Sequence, residues 1–174
     1  AVLIGVGTLI ADDPALTVRH VEGKHPTRVM IDPNGRAPED VQILTDGIAP
    51  VVFITKPGVS TPKGVEQIEL EPGEDGWFTP DAIVAALRKH GLSRILVEGG
   101  ADTLANFLDA QAIDLLHVLV APIILGSGKA GFSLAPIDQL DEAIRPRTTV
   151  HLFNDGDVLF TCDLRGGRRE GKAA

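Results

Sequence analysis

The feature that most restricts the fold is a series of five short runs rich in β-branched residues and leucine: VLIGV at 2–6, RVMID at 28–32, VVFIT at 51–55, EQIEL at 66–70 and RILVE at 94–98. Near-continuous apolar character, rather than alternation, is the pattern of strands covered on both faces. Such strands need helices to cover them, and the chain supplies these. Thr79-Pro80-Asp81 offers an N-cap, a proline at the first helical position and an acid suited to the helix dipole; Ile83, Val84 and Leu87 then recur at helical spacing until Gly91. Leu104, Phe107 and Leu108 mark a second helix, introduced by GGAD and ending near Gln111, which feeds an apolar strand, LLHVLVAPIIL, at 115–125. Helix, strand, helix, strand is the order of parallel crossover units, so the class is α/β with a mostly parallel central sheet. TTVHLF and DVLFTCDL flank NDG, a hairpin signal, and an antiparallel C-terminal hairpin is expected to close that sheet.

With 174 residues the chain has enough length for one buried core, so a single domain over 1–165 is expected. GGRREGKAA at 166–174 has no apolar anchor and reads as a disordered tail. A net charge of −8 and the lack of a lysine- or arginine-rich run argue against nucleic acid or an anionic membrane as partner. Cys162 is the only cysteine, which excludes a disulfide framework and thiol-based zinc sites and suits a reducing compartment. There is no run of eighteen apolar residues and no signal-peptide pattern.

Three segments carry chemical potential. In EGGADTL, 98–104, a strand ends at Glu98, two glycines follow and a helix begins near Asp102 or Thr103. That arrangement presents unpaired N–H groups and a positive helix end at the carboxyl edge of a parallel sheet, where phosphates bind; Asp102 as a plain N-cap is the alternative. Glu98 either accepts nearby backbone hydrogen bonds or meets a ligand. The opening stretch, AVLIGVGTLIADDPALTVR, has only the first two glycines of a dinucleotide fingerprint, and Pro14 obstructs the helix that fingerprint needs. It reads as a strand and then a polar loop carrying Thr8, Asp12 and Asp13, with Leu16 and Arg19 beyond. Asp12 and Asp13 lack the further ligands that a metal site needs, and loop capping is the plainer role for them; no metal is expected. GSGKAG at 126–131 does not fit the phosphate-loop pattern and reads as a surface loop in which Lys129 could meet an anion. The five histidines show no ligand spacing, and His117 is expected to be a packed strand residue.

Taken together, VGTLIADDPALTVR, RVMIDPNGR, ILVEGGADTLANFL and DLLHVLVAPIILGSG resemble the reductase domain of the bacterial riboflavin-biosynthesis deaminase-reductase. The resemblance implies a three-layer fold like that of dihydrofolate reductase and an NADPH-dependent reduction of 5-amino-6-(5-phosphoribosylamino)uracil to its ribitylamino product. Hydride from C4 of the nicotinamide would reach C1′ of the opened ribose. By position, Thr8 and Asp12 match cofactor contacts, as do Gly100, Ala101, Asp102, Thr103, Leu104, Ala105 and Asn106 at the turn and helix start. Leu16, Arg19 and Glu98 match substrate contacts, with Glu98 as the candidate catalytic group. A cytoplasmic homodimer is also implied. Alternatives are a reductase of the 2,5-diamino pyrimidinone analogue and a catalytically silent nucleotide-binding module. Two departures stand out. Pro33 replaces a serine that contacts the cofactor in relatives, and the first strand and helix of the family have no counterpart here, so a fragment is expected. The deaminase zinc motif is absent as well, since Cys162 stands alone.

Overall fold

The computed structural model describes residues 1–128 and 130–166. Five of its strands, β1 (Val2–Gly5), β2 (Arg28–Ile31), β3 (Val51–Thr55), β4 (Glu66–Glu69) and β5 (Leu96–Val97), form one parallel sheet in the order β4-β3-β2-β1-β5. Side chains alternate across a strand, so each strand contributes to two cores. Leu3, Val29, Ile31, Val52 and Ile54 point to one face, where Ile83 and Leu87 of α3 (Pro80–Lys89) and Phe107 of α4 (Ala101–Asp109) cover them. Ile4, Met30 and Phe53 point to the other, against Leu9 of α1 (Val6–Asp12), Val41, and Ile43 of α2 (Gln42–Thr45). These three layers account for the near-continuous apolar runs: β1, β2 and β3 are interior strands with helices on both faces.

The predicted start of α3 is present. Thr79 accepts a hydrogen bond from the Ala82 N–H through Oγ1 at 3.3 Å, Pro80 takes the first helical position, and Gly91 at φ +77° follows the C-cap. The antiparallel C-terminal pair is present too: β7 (Arg147–Leu152) pairs with β8 (Val158–Asp163) across the turn around Gly156, whose φ is +93°. Its further partner is β6 (Leu115–Val120), in a separate three-stranded sheet of order β6-β8-β7.

Four local expectations are corrected. Residues 6–12 form a helix, not a loop; it closes at Asp13, in the left-handed region, so Pro14 lies beyond its end and obstructs nothing. The strand expected to run to Leu125 stops at Val120, because Pro122 cannot donate to a ladder. RILVE is no buried strand: β5 has two residues at a sheet edge, with Leu96 half exposed. His117 is exposed on β6, its Nδ1 3.2 Å from Thr161 Oγ1. Lys129 and the expected tail, apart from Gly166, lie outside the described residues.

Candidate functional site

From β1 the chain builds the sheet outward through β2, β3 and β4, then crosses back to lay β5 on the other side of β1. Such a reversal leaves a crevice beyond the carboxyl ends of the two strands, because their following connections diverge. A cleft of about 980 Å³ lies at that place. Gly5, Gly7, Thr8 and Asp12 line it from the β1 connection, and Glu98, Gly100, Asp102, Thr103 and Asn106 from the β5 connection. Pro33, Asn34, Arg36 and Lys56 reach it from the ends of β2 and β3, with Trp77 and Phe78 on the segment before α3.

The two helices that follow β1 and β5 at this edge start without a side-chain cap, unlike α3, which Thr79 caps. Gly5 precedes α1 and Gly100 precedes α4, and neither can supply an acceptor. The first-turn N–H groups of α4 are therefore unclaimed by a side chain, and the positive end of its dipole opens on the cleft. Thr8 ties the two turns together: its Oγ1 accepts from the Gly100 N–H at 3.0 Å, so its own proton stays available to a ligand. Approach is tightest at Gly5, where a Cβ would sit 2.9 Å from Thr103 Oγ1; at Gly99 and Gly100 a Cβ would make ordinary contacts of 3.5 Å or more. The close passage of the two connections thus rests on Gly5 more than on the glycine pair.

Of the residues singled out from sequence, Thr8, Asp12, Glu98, Gly100, Ala101, Asp102, Thr103 and Asn106 line this one cleft. Glu98 is exposed; its backbone N–H donates to the Leu3 carbonyl at 2.9 Å, which fixes its place beside β1. Leu104 and Ala105 belong to α4 but do not line the cleft, and Ala105 is buried. Leu16 and Arg19 also lie outside it. Leu16, at φ +50°, packs on the Met30 side of the sheet, and Arg19 is exposed on the connection to β2.

The two neighbouring acids part company. Asp12 lines the cleft, whereas Asp13 caps the end of α1 and accepts the Gln42 N–H, at the start of α2, through Oδ1 at 2.8 Å. Asp32, fully buried, accepts from the N–H groups of Arg36 and Ala37 at 2.9 Å each and so holds the loop that carries Asn34 and Arg36. Pro33 is buried at the root of that loop, and its carbonyl receives the Lys56 N–H at 3.3 Å. The side chain of Lys56 meets Asn34 Oδ1 at 3.2 Å. Trp77, half exposed on the cleft, was missed from the sequence; a lone tryptophan between a loop and a helix cap was its only signal. Among the described residues no group of three or more His, Cys, Asp or Glu side chains is placed to hold a metal ion, and no helix is long and apolar enough to cross a membrane.

An open parallel sheet with helices on both faces and a glycine-bordered cleft at its reversal point defines an α/β protein of the doubly wound kind. Within that class, the chain belongs to the RibD C-terminal domain family, whose model matches residues 1–155. It is 35% identical over 133 residues to the riboflavin biosynthesis protein RibD of Bacillus amyloliquefaciens, a match covering 72% of this chain and 35% of that protein. With the 2,5-diamino-6-ribosylamino-4(3H)-pyrimidinone 5′-phosphate reductase of Methanothermobacter thermautotrophicus it shares 30% identity over 155 residues, 83% of this chain and 70% of that one. The crystal structure of a diaminohydroxyphosphoribosylaminopyrimidine deaminase/5-amino-6-(5-phosphoribosylamino)uracil reductase from Thermotoga maritima superposes with a TM-score of 0.76 at 26% identity, over 94% of this chain and 44% of that one. The chain thus spans less than half the length of the Bacillus and Thermotoga relatives.

Proposed function

We infer that this chain is the reductase domain, over residues 1–165, of a riboflavin-pathway enzyme that reduces 5-amino-6-(5-phosphoribosylamino)uracil with NADPH. The observation that carries the reading is the convergence of Thr8, Glu98 and the uncapped start of α4 on one cleft at the β1/β5 reversal. The donor set suits a nicotinamide dinucleotide: unclaimed N–H groups and a positive helix end for a pyrophosphate, a hydroxyl with a free proton, and Arg36 and Lys56 at the far end of the cleft. When bound, the reduced nicotinamide supplies the hydride; the protein's part is alignment, exclusion of water and placement of charge.

In that role Thr8 and the 100–103 turn hold the cofactor, and Asn106 lines the cleft one helical turn further along α4. Asp12 borders the same space from the last turn of α1. Glu98 stands at the mouth between β5 and α4, where its carboxylate can orient a sugar hydroxyl or hold a proton near the reacting carbon. Arg19, exposed and outside the cleft, is proposed to meet the 5-phosphate of the substrate from the α1–β2 connection. The proposed homodimer draws support from Val120, Val150 and Leu152, exposed on β6 and β7 at registers that share one face of the three-stranded sheet.

The test is NADPH oxidation followed by absorbance with the uracil substrate and, separately, with its 2,5-diamino counterpart. Faster turnover of the uracil supports the assignment; turnover of the diamino compound alone moves the chain to the activity for which the Methanothermobacter relative is named. Binding of NADPH without turnover of either would make this a silent nucleotide-binding module.

A further inference from the structure

We propose that His25 positions Arg19 for the substrate's phosphate, through a hydrogen bond that fixes the shape of the connection between α1 and β2; this rests on the reading of Arg19 as the phosphate contact above. That connection runs over residues 13–27 without helix or strand. Such lengths are uncommon inside a compact domain and belong mostly to binding segments or to disorder, and here both ends are built into the fold. Asp13 closes α1 and holds the Gln42 N–H, and the Ala15 carbonyl meets Arg28 Nη1 at 3.4 Å. Leu16 packs on the Met30 side of the sheet, and the Thr27 carbonyl receives the Val2 N–H at 2.9 Å. Between these anchors, one hydrogen bond reaches residues 17–26 among the described residues: the Val18 N–H donates to His25 Nδ1 at 3.1 Å. It closes the segment 18–25 on itself, and the chain returns so near that a Cβ at Gly23 would touch Val18 Cγ1 at 3.8 Å.

Arg19 is the residue next to this closure, and left-handed residues bracket it, Leu16 at φ +50° and His20 at φ +64°. Those angles are uncommon without glycine, persist only where the surroundings impose them, and gather at ligand-binding segments. Packing imposes the first. No hydrogen bond of its own reaches His20 among the described residues, so the second depends on the closure made by His25. Arg19 itself is exposed and, among the described residues, pairs with no carboxylate. The clasp therefore orders a free guanidinium in a chain of net charge −8. A guanidinium on an ordered segment gives up less conformational freedom when a phosphate arrives, which is how a residue that touches no substrate raises affinity for it. To accept at Nδ1, the imidazole carries its proton on Nε2. Asparagine would place an oxygen acceptor where Nδ1 stands, whereas the amide oxygen of glutamine falls one bond further out.

Initial rates of NADPH oxidation by the full chain, with the uracil substrate and the cofactor varied in turn, read the role. His25→Ala should raise the substrate KM about two- to tenfold, the size of one neutral hydrogen bond, with kcat and the NADPH KM unchanged. His25→Asn should hold the substrate KM near the parent value, and His25→Gln should not. Because the imidazole acts through the guanidinium, His25→Ala should add nothing on top of Arg19→Ala. A substrate KM that stays at the parent value in His25→Ala, rises there together with the NADPH KM, or rises further on top of Arg19→Ala overturns the positioning role and leaves the proposed function intact. His25→Asn behaving like His25→Ala does the same. An unchanged substrate KM in Arg19→Ala takes Arg19 off the phosphate and His25 with it, while the reductase reading stands. No turnover by the parent chain removes the reductase reading and the positioning role together.

Discussion

Replacing Asp46 by Asn should cost this protein a large part of its stability. Arg28, at the start of β2, has no exposed side-chain surface. Its Nη1 and Nη2 donate to the two Asp46 oxygens at 2.7 and 2.9 Å, Nη2 also donates to the Ala49 carbonyl at 2.7 Å, and Nη1 reaches the Ala15 carbonyl at 3.4 Å. Nε has no partner, so the guanidinium has no spare donor-acceptor pairing to fall back on. The asparagine keeps the shape but removes the counter-charge and turns one acceptor into a donor facing a donor. Breaking a buried pair in this way costs about 3–5 kcal/mol, against about 5–15 kcal/mol for a whole domain. With a urea m-value of about 2 kcal/mol/M, the midpoint should fall by about 2 M.

The pH dependence supplies an internal control. The hydrogen bond from Arg28 is the largest of the influences holding the Asp46 carboxyl below its ordinary range. A carboxylate whose folded pKa is depressed stabilises the fold at pH above its unfolded value, about 3.9, and loses that contribution as the pH falls through the folded value. The gap between the parent and Asp46→Asn should therefore be full at neutral pH and narrow below about pH 4. Adding Arg28→Met should recover part of the loss, because the uncompensated charge leaves with it. A midpoint within about 0.3 M of the parent at pH 7, or a gap that does not narrow in acid, would show that solvent already compensates this pair.

Two neighbouring glycines should answer the same substitution in opposite ways. Gly5→Ala places a Cβ 2.9 Å from Thr103 Oγ1 and must push the start of α4 aside, so NADPH affinity and thermal stability should both fall in calorimetry. Gly7→Ala meets nothing within 4 Å and adds a better helix former inside α1, so unfolding should become harder by about 0.5–1 kcal/mol. Because Gly7 lines the cleft, the same methyl should weaken nucleotide binding, and a variant that gains stability with undiminished affinity would place the ligand elsewhere.

What could be read from the chain beforehand divides along the range of the interactions involved. Thr79-Pro80-Asp81 and the glycine-containing turn before β8 were legible because caps and tight turns are decided within four residues. β1, β2 and β3 were legible because burial on both faces leaves its mark on every position. The Asp12-Asp13 pair was not divisible in advance: Asp13 owes its role to the Gln42 N–H, which only the packing of α2 brings near, while Asp12 owes its place to the direction in which α1 leaves β1. The same holds for Arg28, whose partners, the Asp46 carboxylate and the Ala49 carbonyl, lie 18 and 21 residues further along the chain and meet it only through folding. Asp32 explains how the loop after β2 is held with a proline at position 33. The loop that carries Asn34 and Arg36 is held by the Asp32 carboxylate and the Pro33 carbonyl, not by the side chain at position 33. Those tethers use the Asp32 carboxylate and backbone groups alone, so they are compatible with a proline at this position.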